Sequence, residues 1–142
     1  MSNHTGAIGI AVSDLDRSVD FYTRVLGMQQ ITTFALPHMD EVVVGWGRRG
    51  AAIVLMHYTD GSDPVTTNLP IKLVMYVDSP TEVADRIRAE GLEIEREPAP
   101  VPTLGNAIVG FAKDPDGYLL ELLEAPVSSE TPKLERATRE GP

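Results

Sequence analysis

Residues 7–27 read AIGIAVSDLDRSVDFYTRVLG, and this stretch decides the fold. Its short, apolar and β-branched beginning predicts a buried strand over Ala7–Val12. Asp14 or Asp16 can cap the helix that follows, in which apolar residues recur at helical spacing until Gly27 ends it. The stretch therefore predicts a strand that leads directly into an amphipathic helix.

The residues after this helix predict three more strands and a linker. The strands are expected at Gln29–Leu36, Val42–Arg48 and Ala51–Tyr58, with a tight turn at Arg49-Gly50 between the last two. Residues 59–69 are polar, contain Gly and Pro, and predict a linker. The first half of the chain is thus predicted to be a βαβββ module over residues 5–58.

The same order of elements returns in the second half of the chain. Ser79, Pro80 and Glu82 form the beginning of a helix that ends at Gly91. The predicted strands around this helix are Ile71–Val77, Glu93–Glu97, Ala107–Lys113 and Tyr118–Leu123.

Three landmarks of the two halves lie at nearly constant separation. Val12 and Val77 are 65 residues apart, Gly27 and Gly91 are 64 apart, and Leu55 and Leu122 are 67 apart. This spacing indicates an internal duplication. We therefore expect an α+β fold, in which modules 5–58 and 70–125 build an incomplete, barrel-like curved sheet with a concave cavity. One domain would span residues 1–125, followed by a polar C-terminal tail over 126–142.

Composition restricts the classes of partner. The formal net charge is −9 and the pI is near 4.7, so binding to nucleic acid or to an anionic membrane surface is not expected. The chain has no cysteine, which excludes disulfides and zinc–thiolate sites. No secretory signal and no apolar run of about 18 residues occur, so a cytoplasmic location is expected.

Two segments carry a resemblance to a known family. VSDLDRSVDFYTRVLGM (12–28) and FAKDPDGYLLELLE (111–124), within a duplicated βαβββ unit, resemble the vicinal oxygen chelate superfamily of glyoxalase I, bleomycin resistance proteins and dioxygenases. Within it the chain is most similar to bacterial glyoxalase I, the lactoylglutathione lyases. The resemblance implies a small-molecule cavity lined by four strands, each with one metal ligand, and a homodimer.

The ligand positions that this resemblance implies hold other residues here. The four ligands, His, Glu or Gln, His and Glu, fall on Ala7, Val54, Lys72 and Glu121, so that only Glu121 matches. An Arg that contacts glutathione in the relatives falls on Ala11. A single carboxylate beside an ammonium is a poor donor set for nickel or zinc, so no metal cofactor is expected.

Strand alternation extends these positions to a predicted cavity wall. The residues expected to line it are Ala7, Gly9, Ala11, Ala52, Val54, Met56, Tyr58, Lys72, Val74, Tyr76, Leu119, Glu121 and Leu123. Trp46 is expected near the mouth of the cavity. The opposite faces are uniformly apolar and are expected to pack against the helices, through Ile8, Ile10, Val12, Ile53, Leu55, Leu73, Met75, Val77, Leu120 and Leu122. Such a cavity suits an apolar or aromatic ligand with a carbonyl, hydroxyl or carboxylate group.

Lys72 and Glu121 allow three interpretations. They can form a salt bridge that fills an ancestral metal site. Lys72 can instead replace the metal, as an electrophile that stabilises an enolate or forms an imine, while Glu121 moves a proton. In the third interpretation Lys72 binds an anionic group of the ligand.

The sequence leaves three functions open. The first is a metal-independent isomerase or lyase with Glu121 and Lys72 as catalytic residues. The second is a protein that binds and sequesters a drug or metabolite, as in the bleomycin resistance branch. The third is a metal-dependent lactoylglutathione lyase with non-standard ligands such as His4, His38 or His57.

Overall fold

The computed structural model describes residues 2–126, and the first module forms a four-stranded sheet covered by one helix. Its elements are β1 (Ala7–Ala11), α1 (Leu15–Asp20), a π-helical turn (Phe21–Val25), β2 (Gln29–Ala35), β3 (Met39–Trp46) and β4 (Arg49–Tyr58). The strand order is β1-β4-β3-β2; β1 runs parallel to β4, and the other pairs are antiparallel.

The second module repeats this arrangement. Its elements are β5 (Lys72–Val77), α2 (Pro80–Ala89), β6 (Ile94–Val101), a 3-10 turn (Pro102–Leu104), β7 (Ala107–Lys113) and β8 (Leu119–Glu124). The strand order is β5-β8-β7-β6, again with one parallel pair, β5 and β8. The predicted α+β class with two βαβββ modules is confirmed, and each module has its own open sheet.

The helices begin where the sequence predicts. The Asp14 side chain accepts a hydrogen bond of 3.0 Å from the backbone N–H of Arg17. Ser79 accepts one of 3.2 Å from the N–H of Glu82, and Pro80 occupies the first turn. Each cap satisfies a backbone donor that has no partner within its helix, which fixes the point at which the chain leaves the strand.

The helix-facing side of each sheet is apolar and buried. The predicted residues found buried there are Ile10, Val12, Ile53 and Leu55 in the first sheet and Leu73, Met75, Val77, Leu120 and Leu122 in the second. The prediction for Ile8 is wrong, because 47% of this residue is exposed. It lies near the beginning of an edge strand, whereas α1 packs on β3 and β4.

Two local predictions also require correction. The turn between β3 and β4 lies at Gly47 and Arg48, so that Trp46 pairs with Arg49. A positive φ of 74° at Gly47 suits this turn, because glycine adopts such angles without a steric penalty. β6 extends to Val101, beyond its predicted end, because a sheet edge tolerates prolines that lack an N–H donor.

Two compact units correspond closely to the modules. Among the described residues, the first contains 2–69 together with Pro115–Gly117, and the second contains Pro70–Asp114 and 118–126. Asp116 attaches the short segment to the first unit, because its carboxylate accepts hydrogen bonds from the N–H and hydroxyl of Ser13, at 3.0 and 2.6 Å. From residue 127 on, the predicted polar tail lies outside the described residues.

Within residues 2–126, no helix is long and apolar enough to cross a membrane.

Two adjacent leucines on β8 test the assignment of the faces. Leu120 is fully buried on the helix-facing side, whereas Leu119 is partly exposed on the opposite side. We expect Leu120→Ala to lower the free energy of unfolding by about 2–5 kcal/mol, since it leaves a cavity. The matched variant Leu119→Ala should lower it by less than about 1.5 kcal/mol. Urea denaturation of both variants measures the difference, and equal losses would contradict the assignment.

Candidate functional site

The open face of the first sheet combines small residues on β1 with larger ones on β4. In the parallel pair, Gly9 lies opposite Val54 and Ala11 lies opposite Met56. A Cβ added to Gly9 would lie 3.0 Å from the Met56 sulfur, so the thioether covers this glycine. Ala7 is exposed beside Ala52. The structure therefore brings the predicted residues of β1 and β4 onto one face.

A cavity of about 170 Å³ lies in the first unit, where β1 and β4 end. Ala11 and Tyr58 line it, together with His57 and residues of the 59–70 segment. The His57 Nδ1 lies 3.1 Å from the Val12 carbonyl oxygen, and because a carbonyl only accepts, this nitrogen carries the proton. His57 is half-buried on the helix-facing side, as its position in the strand predicts.

The open face of the second sheet contains the ion pair that was one of the three interpretations of Lys72 and Glu121. Lys72 and Glu121 lie diagonally across β5 and β8, and the Lys72 Nζ is 2.7 Å from the Glu121 Oε1. The Lys72 side chain is 48% exposed, and that of Glu121 is 12% exposed. The carboxylate is therefore nearly buried, whereas the ammonium remains accessible from the open side.

Apolar side chains surround this pair. Val74 and Tyr76 are both exposed on β5. On β8 the partly exposed Leu119 and Leu123 lie opposite Lys72 and Tyr76. A charged pair on an otherwise apolar surface can orient a ligand whose remaining contacts are apolar.

Two further residues of this face were missed by sequence reasoning. Glu121 lies opposite Phe111 on β7, and Phe111 lies opposite Arg96 on β6. The Arg96 guanidinium carbon is 5.6 Å from the centre of the Phe111 ring, a cation–π distance. Alternation along β7 could have identified Phe111. Arg96 was hidden because register shifts interrupt β6 on both sides of it.

Trp46 lies at the end of β3. Its indole Nε1 is 3.9 Å from the position that a Cβ would take on Gly27, so the indole lies beside the end of the helical segment. Its predicted contact with a ligand stays a prediction.

The residues at the family's ligand positions do not fit a divalent metal ion. Ala7 and Val54 in the first sheet have no donor atoms in their side chains. In the second sheet, the Lys72 ammonium occupies one carboxylate oxygen of Glu121 and brings a positive charge to it. Within residues 2–126, no group of three or more His, Asp or Glu side chains is placed to hold a metal.

The two open sheets of the same topology define the class of protein, a duplicated βαβββ domain. The family described as Glyoxalase/Bleomycin resistance protein/Dioxygenase superfamily matches residues 3–122, and the chain belongs to this superfamily.

Three known proteins illustrate its similarities. A lactoylglutathione lyase of Escherichia coli O157:H7 is 35% identical over 119 residues, which are 81% of this chain and 87% of that protein. The structure of the trypanothione-dependent glyoxalase I of Leishmania major has a TM-score of 0.72 at 26% identity, and 87% of each chain is covered. An antibiotic binding protein from Streptomyces sp. CB03234 shares the fold, with a TM-score of 0.68 at 19% identity over 88% of this chain and 98% of that one.

The strength of the Lys72–Glu121 pair can be measured by a double-mutant cycle with Lys72→Met and Glu121→Gln. We expect a coupling free energy of about 1 kcal/mol, because solvent screens the half-exposed ammonium while the carboxylate is nearly buried. The Lys113–Glu95 pair, with a longer distance of 3.7 Å, provides the control and should couple by less than about 0.5 kcal/mol. Equal coupling in both pairs would show that Lys72–Glu121 is an ordinary surface ion pair.

Proposed function

We propose that the protein is a glyoxalase-like isomerase or lyase that moves a proton on a carbonyl-bearing, largely apolar compound without a divalent metal ion. The observation that carries this proposal is the 2.7 Å contact between Lys72 and Glu121 on an apolar sheet face. The pair places a base and an electrophile side by side, and these are the two groups that such a reaction needs.

Each group has a defined task in the proposed reaction. Glu121 takes a proton from the carbon next to the substrate carbonyl, and the electron pair of the broken C–H bond moves to the carbonyl oxygen. The Lys72 ammonium donates a hydrogen bond to that oxygen and stabilises the enolate. On a substrate whose adjacent carbon carries a hydroxyl group, the hydroxyl proton passes to the enolate oxygen and Glu121 returns its proton to the former carbonyl carbon. The carbonyl and hydroxyl groups thereby exchange places, which gives the isomer. An imine at Lys72 is not part of this proposal, because it would require the Nζ to leave its contact with Glu121.

The surrounding side chains support the choice of substrate class. Phe111 and Leu123 provide apolar contacts on the same face as Glu121. Arg96 suits a carboxylate on the ligand, since a guanidinium can donate two parallel hydrogen bonds. We further propose that the residues on the open face of the first sheet, with Trp46, contact a ligand.

Hydrogen–deuterium exchange tests proton transfer without knowledge of the natural substrate. The probe is 4-phenyl-2-oxobutanoate in D2O, which has an aromatic ring, a carbonyl, a carboxylate and exchangeable protons next to the carbonyl. We expect the protein to accelerate exchange, and Glu121→Gln to reduce the acceleration at least about 100-fold. Glu124→Gln is the matched control, because an amide oxygen can still accept the hydrogen bond from the Ile108 N–H. Exchange that Glu121→Gln leaves unchanged would refute the role of Glu121.

A second candidate function is binding without turnover. It is supported by the same ion pair, because the Lys72 ammonium already occupies a carboxylate oxygen of Glu121 that would otherwise accept the substrate's proton. In this case the probe should bind saturably and show no accelerated exchange. Lys72→Met should then weaken binding of the probe about tenfold. Arg88→Met on α2, whose guanidinium pairs with Asp85 and Glu97, should leave binding unchanged.

The third candidate is lactoylglutathione lyase activity with a metal held by non-standard ligands. The names of the relatives at about 35% identity support it, and the donor set described above opposes it. Metal analysis of the purified protein decides this point, together with an assay of lactoylglutathione lyase activity with and without added nickel. Stoichiometric metal and metal-dependent activity would replace the proposal above. The homodimer and the cytoplasmic location stay predictions.

A further inference from the structure

A second carboxylate lies on an open sheet face, away from the Lys72–Glu121 pair. Glu41 is the third residue of β3, opposite Met56 on β4 and opposite Phe34 on β2. Because Met56 also lies opposite Ala11, one row of side chains crosses the whole first sheet. Glu41 is therefore flanked by a thioether on one side and an aromatic ring on the other.

This carboxylate differs from Glu121 in having no counter-charge. Within residues 2–126, Glu41 makes no ion pair and its side chain makes no hydrogen bond. It is half-buried, as are its apolar neighbours Val43 and Val54. Partial removal of an unpaired charge from water costs free energy, so a cation that reaches this carboxylate gains more than it would at a fully exposed one.

The flanking side chains suit an organic cation better than a metal ion. Half of Phe34 is exposed, and the face of an aromatic ring attracts ammonium and amidinium groups. Met56 is flexible and polarisable and can adapt to the apolar part of a ligand. Since directly opposed side chains in antiparallel strands have Cβ atoms about 5 Å apart, one ligand can reach Phe34, Glu41 and Met56 together.

We propose that the open face of the first sheet binds a small aromatic or aliphatic cation, with Glu41 as its counter-charge and Phe34 and Met56 as its apolar contacts. The inference rests on the proposed small-molecule function only in taking an open sheet face as a ligand surface. It adds a positively charged group to the class of compounds that the protein accepts.

Benzamidine is the probe, and benzoate is the control of similar size and opposite charge. Of the methionines within residues 2–126, only Met56 lies on this face with a partly exposed side chain, so its methyl NMR signal reports binding. We expect benzamidine to shift this signal saturably at millimolar concentration and benzoate to leave it unchanged. The signal of Met75, which is buried in the second sheet, should not move.

Three variants test whether benzamidine binds at the row formed by Phe34, Glu41 and Met56. Glu41→Gln keeps the shape and removes the charge, and we expect it to weaken benzamidine binding at least fivefold. Phe34→Leu should weaken it about threefold. Asp40→Asn is the matched control, because Asp40 pairs with His57 and points to the other face, and it should leave binding unchanged. An unchanged thermal melting temperature shows that each variant is folded.

The outcomes separate this inference from the proposed function. No saturable shift of Met56, or a shift that Glu41→Gln leaves unchanged, overturns the inference even if Glu121-dependent exchange is observed. Benzamidine binding that requires Glu41 supports the inference even if no exchange occurs, in which case only the proposed function fails. Lys72→Met should leave benzamidine binding unchanged, and a loss there would assign the probe to the second sheet and refute the inference.

Discussion

The alternation of side chains along strands with one covered face is the constraint on which the structure depends. In each sheet, the residues facing the helix are apolar and buried, which stabilises the unit through the removal of apolar surface from water. A shift of one residue in register would expose this set and bury Lys72 and Glu121 against α2. The hydrophobic pattern therefore fixes the open faces as well as the core, and any ligand chemistry is restricted to the side chains left on those faces.

Much of this arrangement could be predicted from the sequence, because the signals are local. Apolar strands, helix caps and turn residues predicted two βαβββ modules, and the spacing of the landmarks predicted their duplication. The family resemblance assigned Lys72 and Glu121 to ligand positions, alternation extended these positions to the rest of the open face, and the two residues form an ion pair there. The two residues lie on neighbouring parallel strands that are far apart in the sequence. Their proximity depends on this strand pairing, which follows from the topology of the module and not from the local sequence.

Other features depend on irregularities that the sequence does not reveal. Glu41 escaped prediction because β3 begins three residues earlier than its apolar run indicates, and a register shift follows Val44. Arg96 lies between two register shifts in a strand that contains two prolines. Ile8 was assigned to the core by its parity alone, but burial also requires a helix above that part of the sheet. Alternation identifies the two faces of a regular strand. It fails beyond a bulge, because the extra residue changes which side chains point to each face.

The hydrogen bonds of Asp116 have a consequence for how the chain is made. Ser13 and Asp116 are separated by 103 residues, yet both belong to the first unit. On the ribosome, Ser13 emerges long before Asp116 does, so the amino-terminal unit lacks this contact during most of translation. Because Asp116 is required for this contact, the unit reaches its final state only after residue 116 has been synthesised. The two modules have the same architecture, but the first completes its contacts only after most of the second has been synthesised.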